Sequence, residues 1–185
     1  TVDDSADVGQ SSSLAMDANG NPHISYYDDI QDNLKYARWT GTAWSITNVD
    51  ITGSVGLYSS LKLDAAGNPH ISYYDAKNDA IKYARWTGSN WHIQTVDNTI
   101  QSAGIEGMNT SLVLDSQDRP RIAYFDGKAN DLKVVFWTGS SWLVRIVDST
   151  DNVGKYASLA IDNQDRLHVS YYNATSRSLR YARGT

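Results

Sequence analysis

Residues 13–28 read SLAMDANGNPHISYYD, and this text returns as SLKLDAAGNPHISYYD from Ser60, SLVLDSQDRPRIAYFD from Ser111 and SLAIDNQDRLHVSYYN from Ser158. The intervals are 47, 51 and 47 residues. A second block follows each copy: LKYARWTGTAW from Leu34, IKYARWTGSNW from Ile81, LKVVFWTGSSW from Leu132 and the shorter LRYARGT from Leu179. A third block, SITNVD, HIQTVD or LVRIVD, closes the first three copies. Self-similarity at this period marks a repeat architecture in which each unit is one supersecondary element.

Each unit reads as four short strands. Leu14 and Met16 alternate around Ala15, and the turn chemistry of Asp17-Ala-Asn-Gly-Asn-Pro22 follows. Ile24 and Tyr26 alternate with His23, Ser25 and Tyr27 up to Asp28, and Leu34, Tyr36 and Arg38 alternate with Lys35 and Ala37. A Thr-Gly pair at 40–41 turns the chain into a strand opened by Trp44 and Ile46. No window carries a capped helical stripe. Four strands in about 47 residues is the spacing of a propeller blade. The expected fold is therefore all-β, a single β-propeller domain over 1–185 with four four-stranded blades at 13–59, 60–110, 111–157 and 158–185 plus 1–12. Val2-Asp3 aligns with Val147-Asp148, so the N-terminal strand is expected to close the last blade and protect its edge. Three assemblies satisfy this pattern: a self-closed monomer, a homodimer sharing blades in an eight-bladed ring, and a piece of a longer array.

Composition narrows the function classes. The 185-residue chain has 41% hydrophobic and 20% charged residues, a globular balance, with no run near the roughly 20 apolar residues of a membrane span. A formal charge of -5 argues against a nucleic-acid footprint. The absence of cysteine removes disulfides, thiolate nucleophiles and thiolate-bound zinc. Tyr 12 and Trp 6 against Phe 2 suit strands and binding surfaces.

The blade text NPHISYYD…LKYARWTGxxW…VD resembles a family of bacterial and archaeal β-propeller repeats and, more distantly, the blades of sialidase-like propellers. The resemblance implies an extracellular or cell-surface location. It does not imply one activity, because propellers host lectins, scaffolds and hydrolases alike. A sialidase would need an arginine triad and a Tyr–Glu pair, yet Glu106 is the single glutamate, and Trp39-Thr-Gly-Thr-Ala-Trp44 lacks the Asp of an Asp-box.

The expected function is a binding module for carbohydrate or protein rather than an enzyme, acting through the loop-bearing face. A glycoside hydrolase, sialidase-like enzyme or lyase, and a ligand-free repeat scaffold, are the alternatives. Tyr27, Tyr74 and Tyr172 would stack on a sugar ring, and Asp28, Asp75 and Asp126 would accept its hydroxyl hydrogen bonds. The competing reading of those acids is local turn capping, favoured by their recurrence in every blade. No cofactor is expected. Ca²⁺ is the conceivable cation, since Asp17-Ala-Asn-Gly-Asn21 faintly resembles a calcium loop, but Asp64-Ala-Ala-Gly-Asn68 has lost one oxygen donor. His23, His70 and His168 share one register with Arg121 and read as hydrogen-bonding residues at strand starts rather than zinc ligands. The longer loop from Asn98 to Asn109 breaks the repeat, and Ile100, Ile105, Glu106 and Met108 on it are candidate partner contacts.

Overall fold

The computed structural model describes residues 1–100 and 108–184; Ile105 and Glu106 lie outside them. The described residues are strands and turns, without a helix, and they form two compact units, Thr1–Thr95 and Val96–Thr185.

In the first unit, β1 (Val8–Met16), β2 (Pro22–Asp28), β3 (Asn33–Trp39) and β4 (Trp44–Asp50) pair in that order, all antiparallel. The second sheet repeats the order with β5 (Val55–Leu63), β6 (Pro69–Asp75), β7 (Ala80–Trp86) and β8 (Trp91–Asp97). In the second unit, β9 (Ser111–Leu114), β10 (Pro120–Asp126), β11 (Asp131–Trp137) and β12 (Trp142–Asp148) form the third sheet. The fourth has three strands, β13 (Val153–Ile161), β14 (Leu167–Asn173) and β15 (Ser178–Gly184). Residues 1–4 carry no strand pairing within the first unit, where Val8 to Ser12 extend β1.

That extension was illegible in the alternation because it contains bulges. The β1–β2 register shifts between Val8 and Gln10 and again before Ser13, and the same shifts recur in β5 and β13. The first bulge of each strand places a glycine at positive φ: Gly9 at +100°, Gly56 at +111° and Gly154 at +107°. Two of these glycines let sheets approach closely. A Cβ on Gly56 would lie 2.8 Å from Leu34 Cα, and one on Gly154 would lie 2.7 Å from Leu132 Cα.

Each unit buries its core between its two sheets. Leu34, Tyr36 and Val49 pack with Val55, Leu61, Ile71 and Tyr73 in the first, and Leu132 and Val134 pack with Val153, Leu159 and Val169 in the second. Polar contacts fix the sheet-to-sheet register. Leu61 N donates to Ser13 Oγ at 3.0 Å and Ser59 Oγ to the Ser11 carbonyl at 2.9 Å; Leu159 N donates to Ser111 Oγ at 2.9 Å.

Candidate functional site: a polar, aromatic cleft in the first unit

The recurring acids turn out to be structural. Asp28 Oδ1 accepts from the backbone of Ile30 and Gln31 at 3.1 and 3.0 Å, and its other oxygen meets Lys35 Nζ at 2.9 Å. Asp75 and Asp126 cap the following turns in the same way and face Lys82 and Lys133. The acid ending each fourth strand clasps the next sheet: Asp50 Oδ2 accepts from Tyr73 Oη at 2.7 Å and Lys82 Nζ at 2.5 Å. Asp3 repeats this clasp with Tyr26 and Lys35, as does Asp148 with Tyr171 and Arg180. Burial works against the Asp50 carboxylate, but the bonds from Lys82, Tyr73 and Thr52 outweigh it and hold its pKa below the ordinary value.

The proposed stacking platform is therefore corrected. Tyr27 and Tyr74 are buried, with their hydroxyls bonded to Asp32 and Asp79, so their faces are closed to a sugar ring. Asp28, Asp75 and Asp126 are buried too, with carboxylates committed to turns and lysines. Tyr172 is partly exposed and lies beside Tyr156, ring centroids 6.4 Å apart. On the divergent loop, Ile100 and Met108 are buried, which removes them as partner contacts. The Asp17 loop is a turn whose carboxylate accepts from Asn19 N and Asn21 N, both at 2.8 Å, and from Asn21 Nδ2 at 2.9 Å.

The histidine register builds an Asp–His–Tyr relay. Asp64 lies 3.5 Å from His70 Nε2, and His70 Nδ1 meets Tyr83 Oη at 2.5 Å. Asp162, His168 and Tyr181 repeat it at 3.1 and 2.7 Å, and Asp17, His23 and Tyr36 form the first copy. In the third sheet Arg121 replaces histidine, meeting Asp115 at 2.6 Å and lying over the Phe136 ring at 5.1 Å. These histidines are hydrogen-bonding residues one per sheet, as their register implies.

Next to the first relay the two sheets of the first unit part into a cleft. Two adjoining hollows of about 410 and 500 Å³ share His23, Arg38, Ala66 and Gly67. One wall carries Tyr36, Arg38, Ser45 and Thr47, and the other carries Trp86 and Trp91. Trp91 meets the Tyr36 ring edge-on at 5.3 Å and Trp86 at 5.5 Å. Arg38 is exposed and makes no ion pair among the described residues. The Trp91 indole N–H is a buried donor without a partner among them. Burial pushes the His23 pKa down, opposed by Asp17, so the imidazole stays neutral at neutral pH. Burial also raises the Tyr36 pKa and keeps it a phenol. The cleft thus offers a guanidinium, an unpaired indole donor, hydroxyls and aromatic surface, a size and chemistry suited to a small polar ligand.

The second unit has an apolar cleft in the equivalent place, about 200 Å³, lined by Val134, Phe136, Ile146, Leu167 and Val169. Val134 and Phe136 replace Tyr36 and Arg38 there, and Arg145 lies over the Phe136 ring at 4.9 Å. The first cleft was not among the expected sites. The available signal was Arg38, a charge in phase with core-facing Leu34 and Tyr36.

Repeated four-stranded antiparallel sheets of this kind, with no helix among the described residues, define a β-propeller. The solved structures that the chain resembles share that fold. A triple-arginine mutant of AofleA from Arthrobotrys oligospora matches with a TM-score of 0.69 and 15% identity, over 94% of this chain and 56% of that one. The Aleuria aurantia lectin in complex with Fucα1-6GlcNAc matches at 0.64 and 14%, over 96% and 60%. A fucose lectin from Kordia zhangzhouensis in complex with methyl-fucoside matches at 0.51 and 21%, over 72% and 96%. Exo-β-1,3-galactanases also share the fold. The chain thus spans little more than half the length of the AofleA and Aleuria chains. No family model matches it, and neither does any curated protein.

Proposed function

We propose that this chain binds carbohydrate, and that the cleft between the two sheets of the first unit holds the sugar. The observation that carries the reading is the pairing of an unpaired Arg38 with the Trp86–Trp91 wall and its unsatisfied indole N–H. Guanidinium and indole donors would hold ring hydroxyls, while aromatic surface covers the apolar face of a pyranose. The fucose-binding lectins of the same fold support this ligand class and make a fucoside the first sugar to try. The reading suits a chain that meets glycans outside the cell.

Binding is favoured over hydrolysis by the site itself. Glycoside hydrolysis generally needs two carboxylates flanking the scissile bond. The cleft is lined by one, Asp17, whose oxygens are occupied by Asn19, Asn21 and the His23 contact.

Titration calorimetry with methyl-fucoside and a glycan array test the reading together. Arg38→Ala removes a charged hydrogen-bond donor worth about 1.5–3 kcal/mol, which weakens binding roughly 10- to 150-fold. Trp86→Ala weakens it as well, whereas Tyr27→Phe, at a buried ring, leaves it unchanged. No glycan bound by the wild type, or equal affinity in the Arg38→Ala variant, overturns the assignment.

A further inference from the structure

Where the repeat places a cation against a sheet face, it supplies a carboxylate with it. Lys35 Nζ lies 2.9 Å from Asp28 and 3.2 Å from Asp3, and Lys82 Nζ lies 2.5 Å from Asp50. In the third sheet, Asp115 takes both Arg121 at 2.6 Å and Arg119 at 2.7 Å. Asp17 stands at the register of Asp115. Its oxygens go instead to Asn19, Asn21 and the neutral His23, and Arg38 makes no ion pair among the described residues.

Arg38 is nonetheless on an inward face. It lies directly across from His23 in the β2–β3 ladder and in phase with Leu34 and Tyr36, which pack against the second sheet. Its charge is felt there. Burial raises the Tyr36 pKa and the guanidinium opposes that rise, while for His23 it adds to the lowering that burial causes. In the larger hollow, of about 500 Å³, Arg38 carries the single formal charge among the lining residues, and no carboxylate lines it.

Hydrogen-bonding capacity is one-sided as well. Arg38, Trp86 and Trp91 can only donate; Ser45, Thr47 and Asn68 can do either, and no side chain there only accepts. The Trp91 indole N–H has no acceptor among the described residues. A neutral sugar brings hydroxyl protons that need acceptors as much as it brings lone pairs. An oxyanion brings lone pairs alone, and its two oxygens match the fork of a guanidinium.

We propose that the sugar held in this cleft is acidic, a pyranose whose carboxylate or sulfate ester pairs with Arg38 while Trp86 and Trp91 cover its ring. The inference rests on the carbohydrate reading above and narrows its ligand class.

A glycan array carrying neutral, uronate and sulfated sugars is read first. Calorimetry then compares each acidic sugar with its neutral counterpart, methyl glucuronide with methyl glucoside and galactose 6-sulfate with galactose. The acidic member should bind roughly 5- to 10-fold tighter, because a hydrogen bond between two charged groups is about twice as strong as one with a neutral partner. That preference should shrink as salt rises from about 0.05 to about 0.5 M, since an exposed pair is screened, while neutral sugars stay unaffected. Arg38→Gln keeps an amide donor without the charge, and should bring the two members of each pair to equal affinity with an unchanged melting temperature. A preference shown by the uronide alone assigns a carboxylate, and by the sulfate ester alone a sulfate. Neutral sugars bound as tightly as their acidic counterparts, or a preference that survives in Arg38→Gln, overturns this inference and leaves the carbohydrate reading standing. No sugar of either kind bound overturns both.

Discussion

Gly56→Ala separates two roles that the repeat glycines combine. Gly56 sits at φ +111°, and an added Cβ would lie 2.8 Å from both Cα and Cβ of Leu34. Those atoms belong to the β3 backbone and its first carbon, so no rotamer change moves them away. Gly41 has a similar φ of +95° in the Thr40–Ala43 turn, with nothing within 4 Å. Alanine at either position meets about 1–2 kcal/mol of positive-φ strain. At Gly56 forced separation of the packed sheets adds about 1–3 kcal/mol. For a chain of this length each kcal/mol moves the melting temperature by roughly 2–4 °C. Gly56→Ala should therefore melt roughly 2–12 °C below Gly41→Ala, with Gly154→Ala grouping with Gly56→Ala because Leu132 Cα lies 2.7 Å from its added Cβ. Thermal melts followed by circular dichroism measure this. Equal shifts in all three variants would show that sheet approach through the bulge glycine does not hold the blades together.

Three further outcomes follow from the side-chain network. Asp50→Ala strands the Lys82 ammonium without its nearest carboxylate and should destabilise by about 3–5 kcal/mol in urea titrations, against under about 1 kcal/mol for removing the more exposed Asp148. His23 is pushed below its ordinary pKa of 6.5, mainly by burial. The unfolded chain therefore takes up this proton first, so the His23 contribution is full above pH 6.5 and is lost as pH falls through it; melts at about pH 7.5 and about pH 5.5 should differ less in His23→Gln than in the wild type. Grafting Val134→Tyr and Phe136→Arg into the third sheet should add no glycan site in titrations. Gly184 stands at the register of Trp86, so the aromatic wall opposite is missing.

The strands from the second onward in each repeat and the turns between them were legible because alternation, Asn-Gly and Thr-Gly signals and the repeat all agree on them. Legibility failed where the backbone leaves a simple pattern. The Val8–Ser12 stretch reads as a separate segment because two bulges break its period of two, and positive φ at Ser11, Tyr58 and Tyr156 has no compositional mark. At the site level, repetition correctly favoured turn capping for Asp28, Asp75 and Asp126. The choice of Tyr27 and Tyr74 failed because adjacent residues of a strand face opposite ways, and alternation alone does not say that both faces of a blade are covered. Arg38 was overlooked because the cleft wall opposite it, Trp86 and Trp91, comes from the next sheet, which no local pattern joins to it.

A repeat divides its residues by what a neighbour requires. Positions that hold one sheet against the next recur in both units: the bulge glycine with the leucine seated on it, Gly56–Leu34 in one and Gly154–Leu132 in the other, and the Asp–Tyr clasp, Asp50–Tyr73 in one and Asp148–Tyr171 in the other. Positions that only line the gap between sheets are released from that demand, and they are where the copies differ. Tyr36 and Arg38 give way to Val134 and Phe136, and His23 gives way to Arg121, while the buried leucines beneath them do not change. One unit consequently carries a polar cleft and the other an apolar one on the same framework. A ligand that needs the guanidinium and the indoles would therefore distinguish two clefts that the backbone makes nearly alike, and under the proposed function specificity would reside in those few side chains rather than in the fold.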